Sequence, residues 1–281
     1  MSFSQRIGKK PLTKSLQIDN IDIDLKNGLW NDINLFFLNN ISKENNSYRQ
    51  SSFYEFAQLL WKRFFKIPVD TISTNDYSTE SLIREYYFSA EWNEIYDFLE
   101  FLVGLDYDYD TEELIINANH TLEIEFSAYR IINKLVCPIS NTIEIEEIEQ
   151  ALNNNSFTAI SGVNIHLTNA LQKLSDRKNP DYRNSIKESI SAIETAFRTL
   201  TGESTLGKAL NVLDSKGIKL DEQLKSGYEK IYAFTNNKQS GIRHAIVDEH
   251  NEPEFSDAKY ILLLCSAMVN YLVEKNKNQI Q

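Results

Sequence analysis

Glycine and proline are both scarce in this chain, with 9 and 5 copies among 281 residues. Turn-rich all-β folds depend on these residues, so their scarcity favours helices. Hydrophobic residues make up 42% of the chain and aromatic residues 11%. That content excludes a disordered chain and is sufficient for one large domain or two smaller ones.

Cysteines and long apolar runs are also nearly absent. Cys137 and Cys265 are the two cysteines, and they form neither a CxxC pair nor a metal-binding spacing. Cys265 lies in an apolar helical run, where we expect a buried thiol. The longest apolar run, residues 260–273, is too short to span a bilayer, and the first ten residues lack the apolar core of a signal peptide. We therefore expect a soluble, cytoplasmic protein without membrane contact.

Neither half of the chain carries a strong positive charge. The net charge is −11. Residues 1–158 contain 13 basic and 25 acidic residues, and residues 159–281 contain 16 basic and 15 acidic residues. Bulk electrostatic capture of nucleic acid needs a strong basic excess. Any contact with nucleic acid must therefore be local.

Apolar periodicity predicts a mostly α fold in two domains. Residues 1–155 read as a helical domain with a small β-hairpin near 128–139, where two β-branched runs flank Asn133-Lys134. The polar stretch at 153–158 predicts the boundary, and residues 159–281 read as a second helical domain.

The longest predicted helix of the second domain has clear end signals. Asp181 is the predicted N-cap and Gly202 the stop. Between them, Ile186, Ile190 and Phe197 fall on one face, which predicts an amphipathic helix with a buried side.

Two motifs of ligand-binding loops occur in incomplete form. Residues 202–209, GESTLGKA, nearly match a phosphate-binding loop, but Ala209 replaces the hydroxyl residue and the preceding element reads as a helix instead of a strand. Residues 106–110, DYDYD, have the first ligand spacings of a calcium loop, but Thr111 replaces the turn glycine and Asn117 the final glutamate. We expect neither a cofactor nor a metal.

Two of the four histidines lie in the stretch GIRHAIVDEH, residues 241–250. His120 and His166 lie elsewhere and are expected to be structural or exposed. Arg243 could simply pair with a nearby carboxylate. Alternatively, its planar guanidinium could bind a phosphate, and His244 or His250 could move a proton to or from a ribose hydroxyl. Such a set suffices for RNA cleavage without a metal.

The residues around this stretch resemble a known family. Residues 182–210 followed by GIRHAI resemble the C-terminal part of abortive-infection (phage-resistance) proteins of the AbiJ kind, whose C-terminal domain belongs to the HEPN superfamily. Six residues separate Arg243 from His250, which is similar to the Arg–x(4–6)–His motif of that superfamily. Residues 3–11, 25–33, 128–139 and 143–152 look like the AbiJ-type N-terminal domain.

The resemblance implies a HEPN-like helical bundle that forms a homodimer through the C-terminal domain, with two Arg/His motifs in one cleft. It implies a metal-independent endoribonuclease in which Arg243 stabilises the scissile phosphate and a histidine acts as acid or base. Asn184, Glu188 and Glu194 on the long second-domain helix are the candidate polar partners of this site.

The histidine partner of Arg243 remains open. If the stretch is helical, Arg243 and His250 share a face, whereas adjacent residues diverge by about 100°. A non-helical turn would permit His244, and the adjacent Arg–His pair is itself similar to this subgroup.

Two functions from different classes fit the sequence. The first is a defence ribonuclease, an RNA-directed toxin that is silent until infection. The second is a non-catalytic dimeric sensor that uses its HEPN-like domain for assembly. The acidic N-terminal domain favours a protein partner, such as a phage trigger, or a small ligand as its contact.

Overall fold

The computed structural model describes residues 3–7, 15–41, 51–73, 75–105, 111–153, 161–176, 179–236 and 252–277. The chain divides into two compact units, Met1–Ser140 and Asn141–Gln281. Both units are mainly helical, and the strands of the described residues form one small antiparallel sheet. The predicted mostly α fold with a hairpin is confirmed.

The first unit contains six α-helices and the hairpin among its described residues. Their bounds are α1 Phe3–Arg6, α2 Ile23–Phe36, α3 Ser52–Leu59, α4 Asp76–Ser89, α5 Trp92–Val103, α6 Glu112–Ile124, β1 Arg130–Ile132 and β2 Leu135–Cys137.

Local capping explains where several of these helices begin. Asp22, Ser51 and Asn75 precede α2, α3 and α4, and the side chain of each accepts a hydrogen bond from a backbone N–H in the first turn. Such bonds satisfy donors that have no partner inside the helix. Glu91 and Glu94 form a capping box at the start of α5.

The helical segment that begins at Ser52 changes its hydrogen-bonding pattern partway along. The α-helical bonding of α3 ends at Leu59, and Leu60–Phe65 forms a wider π-helical segment. Phe64 and Phe65 both contact the ring of Tyr86, at centroid distances of 5.6 and 4.8 Å. Adjacent side chains diverge by about 100° on an α-helix and by less on the wider π turn. The π segment therefore lets two consecutive aromatic rings pack on one neighbour.

The hairpin pairs Ile131 with Val136. Its two turn residues, Asn133 and Lys134, have φ angles of 49° and 64°, which are typical of the tight turns whose twist matches a β-hairpin. The side chain of Asn119 on α6 donates to the carbonyl of Ile131 at 2.9 Å and accepts from its N–H at 2.7 Å. One amide side chain thus satisfies both backbone groups of a buried strand residue.

Replacement of Asn119 by alanine should destabilise the protein by about 2–3 kcal/mol, because it leaves two buried backbone groups of Ile131 without partners. Asn117 is the matched control. Its side chain donates only to the carbonyl of Glu113, which is already within the helix, so Asn117→Ala should change stability by less than about 0.5 kcal/mol. Urea unfolding measures both; equal effects of the two substitutions would contradict this role of Asn119.

The second unit contains six α-helices among its described residues. Their bounds are α7 Thr142–Leu152, α8 Ser161–Ser175, α9 Tyr182–Thr201, α10 Leu206–Val212, α11 Glu222–Asn236 and α12 Phe255–Lys277.

Helix α7 packs with the second unit, although the sequence places it before the predicted boundary at 153–158. Glu144 accepts from the ammonium group of Lys259 on α12 at 3.0 Å, and Glu147 accepts from the amide of Asn270 at 2.7 Å. These contacts join α7 to α12 at two points along its length.

Helix α9 begins and ends where the sequence predicts. The side chain of Asp181 accepts from the backbone N–H of Asn184, and Gly202 ends the helix with a φ of 82°. That left-handed conformation favours glycine over residues with a Cβ. The apolar face is confirmed as well, since Ile186, Ile190 and Phe197 are buried.

Replacement of Gly202 by alanine should destabilise the protein by about 1 kcal/mol, because alanine is strained at positive φ. An added Cβ would meet no atom within 4 Å there, so the effect reports backbone strain alone. Gly227, inside α11, also has open space around it. Gly227→Ala should therefore stabilise by about 0.5–1 kcal/mol. Thermal unfolding should show a lower melting temperature than wild type for Gly202→Ala and a higher one for Gly227→Ala. Melting temperatures that shift in the same direction in both variants would contradict this difference between the two glycines.

Candidate functional site

The arginine and the two histidines of the predicted site, Arg243, His244 and His250, lie outside the described residues. In the sequence they fall between the end of α11 and the start of α12. Their roles, and the choice between the two histidines, stay predictions. The three polar partners predicted on α9 are described, and the structure distinguishes among them.

Asn184 forms hydrogen bonds with the N-cap residue at the start of α9. Its side chain donates to Asp181 Oδ2 at 2.8 Å, and its backbone N–H donates to Asp181 Oδ1 at 3.2 Å. The ammonium group of Lys173 on α8 lies 3.4 Å from Asp181 Oδ2. Burial raises the pKa of Asp181, but the bonds from Asn184 and the charge of Lys173 outweigh it and hold the pKa below its ordinary value. Asn184 therefore fixes a helix end and a helix–helix contact.

Glu188 lies one turn further along α9, on the same side as Asn184. Its Oε2 is 2.6 Å from Nδ1 of His166 on α8. The side chains are partly buried, with exposed fractions of 32% for His166 and 21% for Glu188. An ionised carboxylate can only accept, so the proton of this bond belongs to Nδ1. The ring's other nitrogen, Nε2, makes no hydrogen bond to any residue that the structure describes.

Glu194 does not join this pair. It is half-buried on α9. Because it lies six positions beyond Glu188, it is rotated from Glu188 by about 120° around the helix axis. Of the three predicted partners, Asn184 and Glu188 lie on the side that faces α8, and Glu194 does not.

Helices α8 and α9 pack antiparallel along a seam with polar contacts. The hydroxyl of Ser185 donates to the carbonyl of Ala170 at 2.8 Å, and a Cβ at Gly162 would lie 2.9 Å from Cγ2 of Thr195. These contacts lie on either side of the His166–Glu188 pair. They fix the position of α8 relative to α9 along the direction of the helix axes.

The contact between His166 and Glu188 is the feature of this seam that sequence reasoning did not identify. The sequence predicted His166 to be structural or exposed, and no local motif ties it to a residue 22 positions away. A weak signal did exist. In an antiparallel helical hairpin, residues at similar distances from the connecting loop lie near each other. His166 lies 9 residues before the end of α8 at Ser175, and Glu188 lies 6 residues after the start of α9 at Tyr182.

The incomplete phosphate loop is an ordinary helix junction. Helix α9 ends at Thr201, and α10 begins at Leu206 with Thr205 as its N-cap, whose side chain accepts from the N–H of Lys208. A strand does not precede these residues, so the geometry that the motif needs is missing. The other incomplete loop, residues 106–110, lies outside the described residues.

Other candidate ligand groups fall outside this seam. His120 is exposed near the C-terminal end of α6. Both cysteines are buried and unpaired with each other, as predicted for Cys265, and burial raises the pKa of its thiol. Among the described residues, the carboxylates of Asp22, Asp24 and Glu125 lie close enough to one another to hold a cation. Asp22 is already the N-cap of α2.

Comparison with protein families identifies the class of the chain. Residues 1–154 match the model of the AbiJ N-terminal domain 4. The match places the chain among abortive-infection, or phage-defence, proteins. The chain belongs to the AbiJ N-terminal domain 4 family, as the resemblance of its first half predicted. Searches of curated proteins and of solved structures returned no significant match. Across the described residues, the helices are too short or too polar to cross a bilayer.

Asp181 provides a pH-dependent test of the seam. Asp181→Ala removes the N-cap and should cost about 1 kcal/mol at neutral pH, whereas Asp181→Asn keeps an acceptor and should cost less. Because the folded-state pKa of Asp181 is depressed, its charge stabilises the fold above the unfolded-state pKa, and this contribution is lost as the pH falls through the folded-state pKa. Urea unfolding at neutral and acidic pH should show the wild-type advantage over Asp181→Asn shrinking with acid. An advantage that grows with acid would contradict the assignment.

Proposed function

We propose that this protein is an abortive-infection ribonuclease, in which the C-terminal half cleaves RNA without a metal ion. The observation that carries the proposal is the AbiJ N-terminal domain of residues 1–154. The resemblance of the second half to HEPN domains adds the reaction. Glu188, one of the polar residues expected at such a site, lies partly buried between two helices and is bonded to a histidine, which supports a polar site on α9.

The proposed reaction uses the RNA's own 2′-hydroxyl as the nucleophile. A histidine takes its proton, the 2′-oxygen attacks the phosphorus, and the bond to the 5′-oxygen breaks. The guanidinium of Arg243 stabilises the charge that develops on the phosphate oxygens, because its planar fork matches them and keeps its charge. A second protonated group returns a proton to the departing 5′-oxygen. The chemistry needs no cofactor.

Assembly and control are part of the proposal. A homodimer formed through the C-terminal half would bring two Arg243 side chains to one cleft. The N-terminal half has a large acidic excess, which repels RNA and suits a phage protein trigger or a small ligand. RNA is thus the substrate of one half, and the trigger is the partner of the other.

The direct test compares wild type with Arg243→Ala on a labelled single-stranded RNA in the presence of EDTA. We expect wild type to cleave and Arg243→Ala to lose about 100-fold or more of the rate, because a phosphate-stabilising charge is gone. Arg198→Ala is the matched control, since Arg198 is exposed in the last turn of α9, and it should cleave as wild type does.

Two results would overturn the proposal. One is RNA that stays intact with wild type and Arg243→Ala alike, together with equal toxicity of both in cells. The other is full protection against phage by Arg243→Ala with the dimer intact in analytical ultracentrifugation, which would favour the non-catalytic sensor.

A further inference from the structure

We propose that His166, oriented by Glu188, is a catalytic base of the C-terminal half that takes the proton from the ribose 2′-hydroxyl. This inference rests on the proposed ribonuclease function and adds a residue that neither the Arg/His motif nor the sequence periodicity assigns. It is carried by the geometry of the pair and by the rigidity of the seam that holds it.

The bond between the two side chains orients the ring and selects its neutral tautomer. Nδ1 of His166 lies 2.6 Å from Glu188 Oε2, within the range of a strong charge-assisted bond. The carboxylate accepts a hydrogen bond from Nδ1–H, and Nε2 of the neutral imidazole then carries the lone pair. The same relation holds in catalytic triads, where a carboxylate holds the tautomer that lets Nε2 accept a proton and stabilises the cation that forms.

The pair contributes little to stability at this degree of exposure. Polar contacts between side chains that water can reach add little to the free energy of folding, and a pair of apolar residues would fill a helix–helix seam at least as well. With 32% of its side chain exposed, His166 remains open to solvent and to a substrate. Orientation of an accessible imidazole is therefore the main physical consequence of the pair.

The flanking contacts make the support rigid. On one side of the pair, the fully buried hydroxyl of Ser185 is bonded to the carbonyl of Ala170. On the other side, Gly162 allows α8 to approach Thr195 so closely that a Cβ would overlap its methyl group. The two helices cannot slide past each other without breaking one of these contacts. Sites built on rigid elements hold their catalytic groups more precisely than sites on loops.

The step balances without an external reactant. Nε2 of His166 gains the 2′-hydroxyl proton while the 2′-oxygen forms a bond to phosphorus and the P–O5′ bond breaks. The products are a 2′,3′-cyclic phosphate and a 5′-hydroxyl, whose proton comes from another acid, for which His250 and His244 are the sequence candidates. His166 returns its proton to water before the next turnover.

The experiment measures kcat and KM of the full-length chain on a labelled single-stranded RNA in EDTA. His166→Asn is the decisive variant. Its amide can still donate to Glu188 from the position of Nδ1, but the asparagine side chain has no atom at the position of Nε2 to accept the proton. We expect kcat to fall about 100-fold with little change in KM, and Glu188→Gln to give a smaller loss of kcat. His120→Ala, which changes the exposed histidine of α6, should retain wild-type rates. Circular dichroism and thermal unfolding should show that His166→Asn is folded.

The outcomes separate this inference from the proposed function. If Arg243→Ala loses cleavage and folded His166→Asn retains it, His166 is structural and the inference falls while the ribonuclease stands. If wild type itself leaves RNA intact, both fall. If His166→Asn loses kcat and the Arg243→Ala/His166→Asn double variant is no slower than the slower single variant, the two residues act in one step, and the inference is supported.

Discussion

Helix α9 makes polar contacts on one side and apolar contacts on another, and the second unit is organised around that constraint. One side of the helix bonds to α8 through Asp181, Ser185 and Glu188. Another side is apolar and packs on α10 and α12, where Ile190 and Ile193 share a small cavity with residues of those helices. A long helix with both kinds of face can neither rotate nor slide without exposing apolar surface or leaving polar groups unpaired.

This constraint gives the unit a fixed polar seam beside a hydrophobic core. The apolar side supplies the free energy of burial, and the polar side sets the alignment of α8 against α9. Because the alignment is fixed, a histidine and a glutamate distant in sequence meet with defined geometry. Helix α12 in turn holds α7 through Lys259 and Asn270, so the last helix within the AbiJ N-terminal domain match packs with the C-terminal helices.

The features predicted from the sequence are those with local causes. Asp181 begins helix α9 through a hydrogen bond of its own side chain, and Gly202 ends that helix through its own backbone conformation. The turn at Asn133-Lys134 likewise depends on those two residues alone. The π segment after Leu59 and the contact between His166 and Glu188 have no local cause, because they depend on which side chains another element brings to the same place. Helical period places Glu188 and Glu194 about 120° apart, but which of the two faces α8 depends on how the two helices pack.

The identity of the RNA ends is the most direct measure of the central claim, that a histidine and an arginine direct the ribose 2′-hydroxyl onto phosphorus. Mass spectrometry of fragments produced by the wild-type protein in EDTA would determine them. With the 2′-hydroxyl as the nucleophile, the fragments should carry a 2′,3′-cyclic phosphate at one end and a 5′-hydroxyl at the other. Fragments with a 3′-hydroxyl and a 5′-phosphate would contradict it, because they require water as the nucleophile.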